Sequence, residues 1–393
     1  MDVFLGEWLN LLLRWTHMIV GIGWIGTSFY FIALDYALNR QDSKDKDVFG
    51  SAWQIHGGGF YRVEKFTVAP PHLPAQLHWF QWEAYLTWVT GFGLMVIQYY
   101  WHADAYLIDP AVLPLTALQA AAISMASLLV GWLIYDGLCR CLGDRRLSLG
   151  AAVFVLIIAA AILYTNIYSG RGAFLHVGAL IGTIMAVNVF AIIIPNQKVT
   201  VAQLVKGEKP DPRYGVIGKQ RSLHNNYLTL PVLLMMVSPH YPFLSVHPHS
   251  WLVVALILLS GGLLRHVLNR ADAGAGWNDY GWMSACAIFA LVCAIYVTAP
   301  ANRATGSAIV GDAEVLAISA KHCTMCHAKS PSHASFQDPP KGIALESIGD
   351  LKRHAAQIMA QSVETRSMPL GNQTIMTEAE RETLGQWIRA LHR

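Results

Sequence analysis

Phe174-Leu175-His176-Val177-Gly178-Ala179-Leu180-Ile181-Gly182-Thr183-Ile184-Met185-Ala186-Val187-Asn188-Val189-Phe190-Ala191-Ile192-Ile193-Ile194 runs for 21 residues without an Asp, Glu, Lys or Arg. As an α-helix at ~1.5 Å per residue it is about 30 Å long, the thickness of a bilayer's hydrocarbon core. Seven more apolar stretches flank it, at about 9–34, 77–101, 111–134, 149–165, 223–239, 250–269 and 281–299. Composition agrees: 54% of the 393 residues are hydrophobic and 13% charged, against roughly 25% charged in soluble domains. The 13 Trp and 15 Tyr suit the aromatic belts of membrane–water interfaces. These features predict an all-α polytopic bundle of about eight transmembrane helices in a lipid bilayer. The first stretch is too long for a cleaved signal peptide and has no basic start.

Lys and Arg set the orientation. Sixteen lie in loops 35–76, 135–148 and 195–222 and at the end of the seventh stretch, whereas the opposite loops carry only Arg171. The first set is therefore expected in the cytoplasm, and the N-terminus and the tail outside it. A formal net charge of +3 gives no reason to expect nucleic acid as a partner.

The chain divides into a membrane domain, 1–300, a small-residue tether, 301–312, and a soluble domain, 313–393. In the last of these, Cys323-Thr324-Met325-Cys326-His327 is the attachment pattern of a c-type haem. The two thiols add to the haem vinyl groups, and His327 reaches the iron. A zinc site would need a second ligand pair, and none follows at zinc spacing. Met368, in Ser367-Met368-Pro369, is the expected second axial ligand, because Met/His ligation suits electron transfer. Met359 and Met376 are its rivals. The domain is expected to be a small class I-type cytochrome c, its last helix opening with a Thr377–Glu380 capping box. Leu384, Trp387, Ile388 and Leu391 then form a core stripe. Covalent haem c also belongs outside a bacterial cytoplasmic membrane, so topology and chemistry agree on a multi-pass inner-membrane protein with a periplasmic tail. The remaining cysteines, Cys139, Cys141, Cys286 and Cys293, need no disulfide.

Ionisable residues inside the membrane are functional candidates. Arg14 and His17 share one turn of the first helix, and His176 lies at the same outer depth. Two His at one depth can hold a b-type haem, so His17 and His176 are a candidate iron pair, with Arg14 near a propionate. His240 joins them as a substrate candidate if no such haem exists. Near the cytoplasmic face, His78, Glu83, His224, Asn225 and His266 form a candidate substrate pocket, with Asn226, Asn269 and Arg270 nearby. His56-Gly57-Gly58-Gly59 permits a close backbone approach or is a turn.

Arg14-Trp15-Thr16-His17, Gly21-Ile22-Gly23-Trp24-Ile25-Gly26-Thr27-Ser28-Phe29-Tyr30-Phe31, Trp53-Gln54-Ile55-His56-Gly57-Gly58-Gly59-Phe60-Tyr61, Arg221-Ser222-Leu223-His224-Asn225-Asn226-Tyr227 and the haem motif together resemble the membrane-bound urate hydroxylase PuuD family over essentially the whole chain. That resemblance implies an oxidoreductase of purine catabolism converting urate to 5-hydroxyisourate. Electrons would pass through haem c to a soluble cytochrome c or terminal oxidase, without hydrogen peroxide. Urate is largely monoanionic at neutral pH, so Arg62, Lys65 or Arg270 could attract it. Two other readings compete. One is a cytochrome subunit that relays electrons for a separate dehydrogenase. The other is a transporter with a redox sensor, for which internal repeats are missing.

Overall fold

The computed structural model of the chain describes residues 3–41, 46–245, 247, 249–299, 310–333 and 336–391. The chain is mostly helical. Helix α1 is Val3–Ala37, and a two-stranded antiparallel hairpin follows it, β1 Val48–His56 and β2 Gly59–Phe66. Then come α2 Trp82–Met95, a short α3 Ala103–Tyr106, α4 Ala117–Leu142, α5 Arg146–Thr165, α6 Gly170–Val187, α7 Ile194–Val205, α8 Pro212–Val237, a short α9 Pro242–Ser245, α10 Ser250–Asp272 and α11 Trp277–Thr298. The C-terminal domain holds α12 Asp312–His322, α13 Ile348–Arg353, α14 Ala355–Ile358 and α15 Glu378–Ala390.

The eight apolar stretches all become long helices, but six helices are long and apolar enough to cross a membrane. The two that fall short are α2, with its π-turn extension Val96–Tyr100, and α8. The reason is chemical. Helix α2 carries Glu83, Thr87, Thr90 and Gln98, and α8 carries Arg213, Lys219, Arg221, His224, Asn225 and Asn226. Arg221, Asn225 and Asn226 are buried inside the bundle. These two helices bring polar groups inward, whereas α5 and α11 keep residues such as Val155, Leu163, Phe289 and Ile295 exposed.

Two local expectations change. The all-α reading misses the hairpin, where Gly57 and Gly58 form the two-residue turn at φ +57° and +80°. Positive φ at both central residues is what a tight hairpin turn requires, so the glycine run is turn chemistry. Loop 195–222 is largely helical: α6 runs through a π turn, Asn188–Ile193, into α7. Pro195 follows that turn, and a proline ring cannot sit against the carbonyl four residues back in a regular helix. The exposed connection is only 206–211. Residues 301–309 of the tether, and Lys44, lie outside the described residues.

The bundle core gathers residues of α2 to α10, among them Leu107, Tyr135, Ile157, Tyr168, Leu180 and Met235. Helices α8 and α10 meet closely at Gly261, where a Cβ would come 2.8 Å from Pro231 Cδ. The C-terminal domain has its own core of Val315, Leu351, Ile358, Met376, Leu384, Trp387 and Ile388. The capping box of α15 forms as expected, with Thr377 Oγ1 accepting from the Glu380 N–H at 3.2 Å. Leu391 is exposed and stands outside the core stripe.

Candidate functional site

In the C-terminal domain, α12 ends at His322, and the turn that follows presents Cys323, Cys326 and His327. The His327 N–H bonds the Cys323 carbonyl at 2.8 Å, which folds the motif into one turn. His327 Nδ1–H donates to the Ile343 carbonyl at 2.9 Å. That bond fixes the tautomer and leaves the Nε2 lone pair free to ligate, the usual arrangement behind a metal-bound imidazole. Both cysteines are half-buried free thiols, and burial pushes both up. Met376 is packed in the domain core at 4% exposure, and Met359 packs against that core. Met368 is half-buried and belongs to no core cluster, which leaves its thioether for another role. Arg381 fixes its loop: Nη1 donates to the Met368 carbonyl at 2.6 Å and to the Ser362 carbonyl at 2.5 Å. Two thiols one turn apart, an imidazole with Nε2 unengaged and a thioether outside the core are side chains of the kind a covalent haem takes up.

The domain rests on the bundle through the same loop. Gly371 lies against the carbonyls of Asp104, Ala105 and Ile108, and Asn372 bonds the Asp109 side chain. Burial pushes the Asp109 carboxyl up, while the Ala111 N–H, Asn372 and Arg381 pull it down.

At the bundle's basic end two polar nests meet on α8. In the first, Arg221 Nη2 pairs with Asp136 Oδ1 of α4 at 2.6 Å, and its guanidinium lies 5.1 Å from the Tyr135 ring centre. Asn188, in the π turn ahead of α7, donates to Tyr135 Oη at 2.9 Å and to Asn225 Oδ1 at 3.0 Å. Tyr135 then donates its hydroxyl proton to His224 Nδ1 at 2.7 Å, so a neutral His224 carries its proton on Nε2. Of the expected pocket, His224 and Asn225 are thus brought together. Asn188, Arg221 and Tyr135 join this nest without having been expected there from the sequence. The only local signal was Asn188, a polar residue inside the apolar run that starts at Phe174.

In the second nest, Asn269 of α10 donates to Asn226 Oδ1 at 2.9 Å. Arg265, one turn before Asn269, lies with its guanidinium carbon 3.9 Å from the centre of the Phe29 ring on α1. Tyr227 Oη and His266 Nδ1 share a hydrogen bond of 2.6 Å, with their rings stacked at 6.0 Å. His266 is thus beside the nest. His78 is not: it is exposed ahead of α2, edge-on to Phe80. Glu83 is half-buried on α2, and no hydrogen bond reaches its carboxylate among the described residues. The expected cations also lie elsewhere. Arg62 pairs with Glu64 at 2.7 Å, Lys65 with Asp35 at 2.5 Å, and Arg270 is exposed.

At the other end of the bundle, His176 is fully buried. Its Nδ1–H donates to the Gly172 carbonyl at 2.7 Å and Nε2 accepts from Ser124 at 2.6 Å, with Tyr168 stacked 4.6 Å away. Both ring nitrogens are engaged by protein. As placed, His176 offers none to an iron, so a His17–His176 haem site would require it to give up one of these bonds. His17 Nδ1 bonds the Thr87 carbonyl and Thr90 Oγ1, both at 3.0 Å, and its Nε2 has no partner among the described residues. Arg14 bonds Asn10 and Gln98. His240 is exposed beyond α8.

No curated protein and no solved structure matches the chain. Residues 3–298, which hold every helix of the bundle and both polar nests, match the family model described as Urate oxidase N-terminal, and the chain belongs to that family.

Proposed function

We propose that this protein is a membrane-bound urate hydroxylase that oxidises urate to 5-hydroxyisourate and passes the electrons through a covalent haem c to the respiratory chain. The observation that carries the reading is the joining, in one chain, of a bundle of the urate oxidase family with a docked domain bearing Cys323, Cys326 and His327. The runner-up, a relay subunit without a substrate site, does not account for the buried polar nests. The six apolar helices support a multi-pass membrane protein. The sixteen-to-one distribution of Lys and Arg supports an orientation with the basic end in the bacterial cytoplasm and the C-terminal domain in the periplasm.

The balanced step is urate monoanion plus water giving 5-hydroxyisourate, one proton and two electrons. Water supplies the oxygen, so no peroxide forms. Urate is held at the basic end, in the nests on α8 and α10. There His266, coupled to Tyr227, accepts the proton released as the new C–O bond forms, and His224 and Asn225 shape the adjoining wall. Cys323 and Cys326 would hold a haem c covalently, with His327 and Met368 available to its iron, and that group would supply a one-electron carrier. Electrons therefore leave singly, to a soluble cytochrome c or terminal oxidase. Between the two ends, α2 offers close aromatic contacts: Tyr85 to Phe190 at 5.7 Å, Trp88 to Phe92 at 5.2 Å and Phe92 to Tyr100 at 6.2 Å between ring centres.

Anaerobic mixing of purified protein with urate, followed in the haem absorption bands, tests the reading. Reduction of haem c by urate is expected. A protein that dithionite reduces and urate does not would be a relay only.

A further inference from the structure

We infer that Arg265, Asn226 and Asn269, on the face where α10 meets α8 and α1, form a binding pocket for a planar lactam anion. The inference rests on the reading of this protein as a urate hydroxylase and names the groups that read the substrate.

The three side chains are each at most 3% exposed. Buried polar groups are nearly always paired, yet four atoms here have no hydrogen-bond partner among the described residues: Arg265 Nε, Arg265 Nη2, Asn226 Nδ2 and Asn269 Oδ1. The four are not a random set. Nε and Nη2 form one edge of the guanidinium, the fork that grips two adjacent acceptors in parallel. The Asn226–Asn269 pair is bonded once, Asn269 Nδ2 to Asn226 Oδ1 at 2.9 Å, and this leaves one donor, Asn226 Nδ2, and one acceptor, Asn269 Oδ1, unused. That is the complement of a C(=O)–N–H lactam edge. Reversing both amides still leaves one donor and one acceptor, with the two residues exchanging those roles.

Arg265 and Asn269 stand four residues apart on one helix face, so their side chains are neighbours. Arg265 has no carboxylate within ion-pair distance among the described residues, in contrast to Arg221, which is held by Asp136. A buried guanidinium without a counter-ion is costly, and a bound anion removes that cost. The Phe29 ring beneath the guanidinium keeps it planar and oriented. A flat, singly charged ring with lactam edges satisfies all four atoms, and urate is such a molecule. A carboxylate or phosphate would satisfy the fork and leave the amide pair unmatched.

The test uses the full chain with haem c intact and reduced by dithionite, so that urate binds without turnover. Binding is measured for urate and for hypoxanthine, a neutral lactam. Arg265→Gln should weaken urate at least about tenfold, as loss of charged hydrogen bonds does, and weaken hypoxanthine much less. Asn269→Ala should weaken both. Arg265→Lys keeps the charge and loses the fork, and it covers the case in which Arg265→Gln fails to fold. It should also weaken urate, with the thermal stabilisation by urate reduced relative to the unsubstituted protein. Unchanged urate binding in all folded variants, with urate still reducing haem c, would overturn this pocket and leave the hydroxylase reading intact. Absence of both urate binding and haem c reduction in the unsubstituted protein would overturn the hydroxylase reading itself.

Discussion

Gly371 of the C-terminal domain lies so close to the main-chain carbonyl of Asp104 in the bundle that no side chain fits between them. Its φ of +61° would strain any other residue in addition. The loop that carries Met368 is thereby the loop that docks. Replacing Gly371 by Val should undock the domain. Hydrogen exchange across 103–109 should rise, and urate-driven reduction of haem c should slow, while covalent haem and reduction by dithionite persist. Unchanged exchange at 103–109 would show that the contact does not hold the domain.

The three methionines weighed as the second ligand, Met359, Met368 and Met376, should separate cleanly. Met368→Ala should lower the midpoint potential, because a thioether favours ferrous iron. Met376→Ala should cost about 2–5 kcal/mol of stability, as core truncations do, without moving the potential once folded. If Met359→Ala shifted the potential and Met368→Ala did not, the axial assignment would pass to Met359.

Acid sensitivity of the tail should centre on Glu380. Although burial alone would raise its carboxyl, Lys321 at 2.7 Å, the Thr377 N–H and His322 hold it far below the usual carboxylate range. A depressed carboxyl contributes stability above its unfolded pKa of about 4.3, and that contribution is lost as pH falls below it. Glu380→Gln should cost about 1 kcal/mol at neutral pH, the typical worth of a helix cap, and flatten the loss of stability below pH ~4. Equal acid profiles for the two proteins would remove Glu380 from the account.

Orientation is open to protease. In right-side-out spheroplasts, cleavage within 301–312 should release the haem-staining tail, while Lys206 and Lys209 stay protected. Cutting at 206–211 with an intact tail would reverse the topology and the direction of electron flow.

Much of this architecture was legible in the sequence because apolar length and cysteine spacing are local signals. The 21-residue run from Phe174 gives a helix, and Cys323-x-x-Cys326-His327 gives one turn with His327 held by Ile343. The hairpin was missed because its strands carry exposed Trp53, Ile55, Phe60 and Tyr61 instead of an alternating buried face. The polar site was half legible. His224 and Asn225 declare themselves inside an apolar stretch, but the pairing of Arg221 with Asp136, 85 residues away, has no local signature. His17 and His176 share an expected depth, yet depth says nothing of what each ring nitrogen bonds. His176 spends both on Gly172 and Ser124.

The central claim is that urate's electrons leave through the tail one at a time and never meet oxygen in the bundle. The most direct measurement is the stoichiometry of oxidation under argon, with excess ferric cytochrome c as acceptor. Two cytochromes should be reduced for each urate consumed, with oxygen from labelled water in the 5-hydroxyisourate and no hydrogen peroxide when air is admitted. Urate consumption that stops without oxygen, and that yields one peroxide per urate in air, would contradict it.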